Sequence, residues 1–536
     1  MRRHWVMPCV IAILMLALFA AAGRAAQASC ESLAKLSLPD TKITLAQVVP
    51  AGTFPAPPPQ YPGQTPPSFK DVPAFCRVAV DIAPTSDSDI KIEVWMPVAD
   101  WNGKFRGQGN GGFAGVIDYS GMGDAVRRGY ASAGTDTGHT TTDAAWALGH
   151  PEKVIDFGYR GIHEMTAKAK AMVDAFYGRA PQHTYFASCS DGGREALMEA
   201  QRFPADYDGI LAGAPANYWT HLLVAGMWTV RATSLDPASY IPASKIPALS
   251  KAVLAACDAQ DGLSDGLLND PRQCHLDPDT IICKAADADT CLTAPQAAAL
   301  KKIYDGPHDS AGRKLFPGYM PGGEAGFGGW PLWIIGNAPA RSLIGFFSVG
   351  YFSNMVYEKK DWDFKTFDID QATKLADQRT GEALNSTDPN LKPFMNRGGK
   401  LILYHGWSDA AIPAPNTIDY YNSVVEKMGQ QPTESFVRLF MAPGLQHCGG
   451  GPGPNSFGQD GSGAPDPGHN AYVALEQWVE RGVAPSKIIA TKFVEDNPAK
   501  GVQMTRPLCP YPQIAQYKGA GDANDAMNFV CVAGKR

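Results

Sequence analysis

The stretch from Thr184 to Ala200 constrains this chain more than any other. It reads as a strand (Thr184-Tyr185-Phe186-Ala187), a sharp turn (Ser188-Cys189-Ser190-Asp191-Gly192-Gly193) and a helix from Arg194 to Ala200. Strand-like runs at Cys76–Val80, Ile90–Pro97 and Gly399–Gly406 and a helical stretch from Tyr159 to Phe176 extend the pattern. Strands alternating with helices predict an α/β fold, a mostly parallel sheet with helices on both faces. A G-x-S-x-G turn in such a sheet lifts a serine Oγ above the strand ends. Here Ser188 stands at the first glycine position and Gly192 holds the second. The letters alone would suit an ordinary strand-to-helix turn. The strand before and the helix after single out Ser190 as a nucleophile.

A nucleophilic serine needs a base and an acid that orients it. In a sheet of this kind the chain order is serine, acid, histidine. Asp409 follows the strand at Leu401, in His405-Gly406-Trp407-Ser408-Asp409, where a triad acid belongs. His447 follows in the loop Gly444-Leu445-Gln446-His447-Cys448-Gly449-Gly450, with room for a helix near Thr417–Met428 and a strand near Phe440 in between. His405 competes as base, but it precedes the acid and lies nearer the strand. If Ser190 and His447 meet, Cys189 and Cys448 come close enough to bridge. An oxyanion hole needs two preorganised N–H donors. The amide of Asp191 supplies one, and Asn110-Gly111-Gly112-Phe113 in the early glycine-rich loop the other, with Gly111 the first choice. Gly107-x-Gly109-x-x-Gly112 also matches the letters of a dinucleotide fingerprint, but no ribose-binding acid lies about 20 residues on in a βαβ setting.

The chain opens with Met1-Arg2-Arg3-His4 and an apolar run from about Val10 to Ala22, then Ala26-Gln27-Ala28, a secretory signal pattern over residues 1–28. The apolar run is short for a membrane span of about 20 residues. Without Arg2, Arg3 and Arg24 the net charge moves from −6 to −9, which argues against a nucleic-acid partner. The expected location is secreted or periplasmic. Eleven cysteines become ten without Cys9, and an even number in an exported chain favours disulfides. Many connectivities are open. Local pairing suggests Cys257–Cys274, Cys283–Cys291 and Cys509–Cys531, then Cys30–Cys76. The proline-rich residues 50–68 read as an extended surface segment.

The strand–helix pattern blurs after Pro215 and resumes at Gly399, so residues 215–395 read as an insertion, a lid, in a sheet domain of residues 29–214 and 396–536. Within it, Cys257-Asp258-Ala259-Gln260-Asp261-Gly262-Leu263-Ser264-Asp265-Gly266-Leu267 crowds three carboxylates into a tight run. Calcium takes six to eight oxygens. Asp258, Asp261 and Asp265 with the carbonyls of Leu263 and Leu267 offer such a set, in a spacing that is not an EF-hand.

With these residues in view the chain resembles the tannase and feruloyl esterase family, which includes terephthalate monoester hydrolases. The likeness rests on Gly109-Asn110-Gly111-Gly112, Thr135-Asp136-Thr137-Gly138-His139, Tyr159-Arg160-Gly161-Ile162-His163, Cys189-Ser190-Asp191-Gly192-Gly193-Arg194, the Asp409 segment and His447-Cys448. The resemblance implies an α/β-hydrolase fold with a large inserted lid domain, a Cys189–Cys448 disulfide and a structural calcium held by Asp258, Asp261, Leu263, Asp265 and Leu267. It implies a secreted serine esterase of small aromatic esters: galloyl, hydroxycinnamoyl or terephthalate monoesters. A non-catalytic calcium-dependent binding protein, a peptidase and an acyltransferase are the rival classes. Two positions depart from the family: Ser188, where glycine is usual, and Asp191, where threonine is common. The lid aromatics Trp330, Trp333, Phe346, Phe347, Tyr351 and Phe352 suit an aromatic acyl group, with Phe346, Phe347 and Tyr351 the expected contacts and Arg341 a candidate partner for a substrate carboxylate.

Overall fold

The computed structural model describes residues 27–57 and 66–534. Nearly all of the signal segment and the middle of the proline-rich segment lie outside the described residues.

Nine strands form the central sheet: β1 (Thr41–Val49), β2 (Phe75–Ile82), β3 (Ile90–Pro97), β4 (Lys104–Gln108), β5 (Ala131–Thr135), β6 (His183–Cys189), β7 (Gly209–Gly213), β8 (Lys400–Gly406) and β9 (Val437–Ala442). Their order is β1-β2-β3-β5-β4-β6-β7-β8-β9. The first three are antiparallel neighbours and β3 meets β5 antiparallel. From β5 to β9 every pairing is parallel. The parallel part behaves as a doubly covered sheet should: β5 and β7 are buried at every residue, while β2 alternates. One core joins the sheet to the helix Gly161–Tyr177 through Ile162, Met165, Ala169 and Met172. Another packs Leu211, Ile402 and Phe440 against the helix Ala471–Arg481 on the other face.

The expected elements appear with shifted ends. The helix before the elbow is regular over Gly161–Tyr177, and the preceding Asp156–Arg160 forms a wider π turn. The helix between acid and base spans Pro415–Met428. Between β7 and β8 no strand joins the sheet. This long segment is helical and irregular, with helices Trp219–Ser234, Ile246–Cys257, Ala294–Asp305 and Leu343–Tyr351 among its elements. After β9 the chain adds two small antiparallel ladders, Ile488–Phe493 with Val502–Leu508 and Gln513–Tyr517 with Phe529–Ala533.

Five disulfides link Cys30–Cys76, Cys189–Cys448, Cys257–Cys274, Cys283–Cys291 and Cys509–Cys531. Among the described residues no helix is long and apolar enough to cross a membrane.

Candidate active site

The site sits at the carboxyl ends of β6, β8 and β9, where open α/β sheets place their ligands. Ser190 occupies the step between β6 and the helix Asp191–Arg202 at φ 68°, ψ −124°. Side chains avoid this backbone region, at a cost of order 1–3 kcal/mol. Its amide donates to the carbonyl of Gly213 at 2.9 Å, fastening the turn to β7. The partner loop is strained at the matching place: Cys448 also has positive φ, 61°. The Cys189–Cys448 bridge joins the two strained turns, with Cα atoms 5.9 Å apart across 259 residues of chain.

His447 Nε2 lies 2.9 Å from Ser190 Oγ, and His447 Nδ1 lies 2.8 Å from Asp409 Oδ2. Asp409 is fully buried, and its other oxygen accepts the amides of Ala411 and Ile412 at 2.7 and 2.9 Å. Burial opposes its charge, but the His447 charge and the hydrogen bonds from His405 and His447 outweigh burial and hold the carboxyl well below the usual carboxylate range.

His405 lies behind the acid, buried, and does not reach Ser190. Its Nε2 lies 3.1 Å from both Asp409 Oδ2 and the Ile412 carbonyl, and its Nδ1 lies 2.7 Å from Thr417 Oγ1. A carbonyl can only accept, so Nε2 carries a proton and donates to both oxygens. The rival base is thus a brace for the acid.

The two departures from the family pattern have physical explanations. A Cβ at Gly192 would lie 1.9 Å from Ser188 Oγ, and one at Gly109 would lie 2.7 Å from Ser188 Cβ. Ser188 therefore fills space that two glycines leave open. Asp191 pairs with Arg194 at 2.6 Å, both fully buried, so its charge is matched beside the nucleophile. Burial pushes the Asp191 carboxyl up, and the Arg194 guanidinium pulls it back. Arg194 also donates to the carbonyls of Gly158 and Phe157, which the π turn presents, and stacks over Phe157 and Trp219.

The candidate oxyanion donors, the amides of Asp191 and Gly111, both border the cavity, and neither has an acceptor among the described residues. Around Gly111 the loop is held from several sides. Asn110 donates its amide to Glu195 Oε2 at 2.8 Å and its carboxamide to the carbonyls of Val116 and Thr135, and accepts from the Gly192 amide. His139 donates from Nε2 to the carbonyl of Phe113. Burial lowers the His139 pKa to about 4, so the ring is neutral and Nδ1 carries no second proton. The Thr135–His139 motif thus shapes the glycine loop from behind.

A cavity of about 1110 Å³ opens above Ser190. Phe113, Trp219, Leu222, Leu223, Trp333, Phe346, Phe347 and Phe327 line it, with Phe113 packed on Phe347 at 5.3 Å. Trp333 meets the His447 ring edge-on at 5.1 Å. The ionisable side chains at its wall are Asp191, already paired, and His447.

Two expected contacts are corrected. Tyr351 does not reach the cavity: it is fully buried, packs on Phe352, and bonds its hydroxyl to Thr380 Oγ1 at 2.7 Å. Arg341 is exposed and absent from the cavity wall. It lies just before the helix whose residues Phe346 and Phe347 turn inward. Trp330 and Phe352 are likewise interior core.

In the acidic loop Asp258 accepts the Gly266 amide, Asp261 that of Leu263 and Asp265 that of Leu267. Burial and the charges of Asp265 and Asp258 push the Asp261 carboxyl up. Arg506 pairs with Asp265 at 2.6 Å. The carbonyls of Leu263 and Leu267 accept no hydrogen bond among the described residues. Hard oxygens, surplus negative charge and idle carbonyls fit a hard cation. The three carboxylates are not drawn together as tightly as another set: among the described residues the group converging within 4.8 Å is His163, Glu199 and Asp206.

Residues 76–532 match the family model described as tannase and feruloyl esterase. An uncharacterized esterase of Xanthomonas campestris pv. campestris is 42% identical over 540 residues, covering 95% of this chain and 92% of that protein. A probable feruloyl esterase B-2 of Aspergillus terreus is 34% identical over 522 residues, covering 94% and 95%. The crystal structure of feruloyl esterase B from Aspergillus oryzae superposes with a TM-score of 0.85 at 29% identity, covering 94% of this chain and all of that one. The chain belongs to the tannase and feruloyl esterase family. It is a carboxylic ester hydrolase of the α/β-hydrolase fold.

Proposed function

We propose that the protein hydrolyses neutral aromatic carboxylic esters, hydroxycinnamoyl esters above all, through an acyl-enzyme on Ser190. The observation that carries this reading is the Asp409–His447–Ser190 chain of hydrogen bonds at the floor of an apolar, aromatic-walled cavity. Ser190 Oγ attacks the ester carbonyl as His447 Nε2 takes its proton. Asp409 holds the imidazole and stabilises its charged form. The amides of Gly111 and Asp191 receive the developing oxyanion. His447 then protonates the leaving alcohol, and water repeats the steps on the acyl group.

The walls choose among acyl groups by what they lack. A terephthalate monoester brings a second carboxylate, and a buried unpaired charge is costly. Among the described residues no lysine or arginine lines the cavity. A galloyl ring brings three hydroxyls to walls whose side-chain partners, apart from the triad and the paired Asp191, are Thr142 and the indole N–H groups of Trp219 and Trp333. A feruloyl ring, with one hydroxyl and one methoxy group, asks less.

Calcium in the loop of Asp258, Asp261, Leu263, Asp265 and Leu267 belongs to the same proposal as a structural ion. It neutralises surplus charge where the loop meets Arg506 of the tail. The five disulfides and the apolar leader support export to the periplasm or beyond. The test is hydrolysis of methyl ferulate, methyl gallate and monomethyl terephthalate beside peptide substrates. Turnover led by ferulate and lost in Ser190→Ala is the expected result. Activity on the peptides alone, or full activity in Ser190→Ala, would overturn the reading.

A further inference from the structure

The Tyr159–His163 motif and the far end of the nucleophile's helix meet at a place that the ester chemistry does not use. His163 projects from the helix Gly161–Tyr177, Glu199 from the helix Asp191–Arg202, and Asp206 from the turn leading to β7. One ligand atom from each lies within 4.8 Å of the others. Glu199 is 1% exposed, and neither carboxylate oxygen has a hydrogen-bond partner among the described residues. A buried carboxylate without partners is rare and needs an explanation.

The surroundings are those of a built site. His163 Nδ1 lies 2.7 Å from Asp206 Oδ2, and its ring stacks flat on Phe203 at 3.8 Å, which fixes its direction. The side chains of His163 and Asp206 remain 32% and 12% exposed, so solvent reaches the cluster from one side. Lys170, the nearby cation, stays 3.9 Å from Asp206 Oδ1 and spends its hydrogen bond on the Asp206 carbonyl. Both Glu199 oxygens therefore stay unpartnered, and Asp206 Oδ1 keeps only the distant Lys170.

We propose that His163, Glu199 and Asp206 form a site for a borderline divalent cation such as Zn²⁺, distinct from the oxygen-only loop at Asp258–Leu267. An imidazole with two carboxylates and solvent at an open side suits zinc, which takes nitrogen and oxygen ligands in fourfold coordination. Burial and the nearby Asp206 carboxylate push the Glu199 carboxyl well above its usual range. A bound cation would give the Glu199 and Asp206 oxygens the partner that burial denies them. Glu199 lies nine residues beyond Ser190, roughly 13 Å along the helix axis. An ion there ties the far end of the nucleophile's helix to its neighbour and leaves the reacting atoms untouched.

The experiment titrates chelator-stripped, calcium-saturated protein with Zn²⁺ against a chromogenic chelator, and follows melting temperature. Wild type is expected to take up one Zn²⁺ more than Glu199→Gln or His163→Asn and to melt higher with zinc. Each substitution should weaken that site beyond the roughly 10- to 100-fold that loss of an outer-shell partner costs. His163→Asn changes a partly exposed side chain and keeps the test open if Glu199→Gln unfolds. Equal zinc uptake by wild type and the folded variants overturns the proposal. So does a wild type that takes up none.

Discussion

The cavity has two walls of opposite character. The sheet wall, from β6, β8 and β9, is polar and over-determined: Ser190, His447 and Asp409 are joined at 2.9 and 2.8 Å, and His405, Thr417 and two backbone amides fix the acid from behind. The inserted wall is apolar and loosely finished, with Phe346 46% and Phe327 90% exposed. Chemistry tolerates little misplacement, whereas recognition of a flat ring needs only surface of the right shape. The first wall should fail steeply when altered and the second gradually.

The largest expected effects are therefore on the sheet wall. Ser190→Ala should lower kcat by about 10⁴- to 10⁶-fold and Asp409→Asn by about 10⁴-fold, measured with methyl ferulate. Comparable losses from Phe347→Ala would break the division between the walls. Next comes the bridge between the strained turns. Cys189→Ala with Cys448→Ala should cut kcat by up to about a hundredfold through slack of about 1 Å, with KM little changed, and should cost about 2–5 kcal/mol of stability. A rise in KM alone would contradict the positioning role. Phe347→Ala should act mainly on KM, by about 10-fold or less.

Legibility in the sequence follows the same division. The elbow, the acid and the base could be read because strand–turn–helix chemistry is local and chain order in this fold is fixed. Their neighbours could not. Arg194, which neutralises Asp191, looks like an ordinary helix residue three positions on. His405 looks like a rival base until its buried bond to Asp409 is seen. Glu195 and Glu199 give a faint signal, two acids one turn apart in a helix that starts at the nucleophile, but nothing local says that both are buried. On the inserted wall the sequence offered aromatics without a facing. Tyr351 went into the core and Arg341 to solvent because tertiary packing, not spacing, decides which side of an irregular helical segment meets the cavity.

The smallest effects concern the layer behind the glycine loop. Burial raises the Asp136 carboxyl to about 7, against the pull of the Gly138 and Lys91 amides. A carboxyl whose folded pKa lies above its unfolded value favours the folded state while protonated, so its contribution falls as pH rises from about 4 to 7 and then levels off. Asp136→Asn should remove that fall, gaining on wild type by order of 1–3 kcal/mol across this window in denaturant titrations. A difference that does not change with pH would show that Asp136 ionises freely in the fold. Calcium chelation should also lower the melting temperature with little change in the kcat of the protein that remains folded. An unmoved melting curve would count against the ion.

The central claim is that the sheet wall supplies the chemistry while a cation-free inserted wall selects neutral rings. The most direct test is the ratio of kcat/KM for dimethyl terephthalate to that for monomethyl terephthalate, which share a ring and a scissile ester and differ by one charge. The expected ratio is at least about a hundredfold in favour of the neutral diester. Equal rates, or a preference for the monoester, would contradict the account.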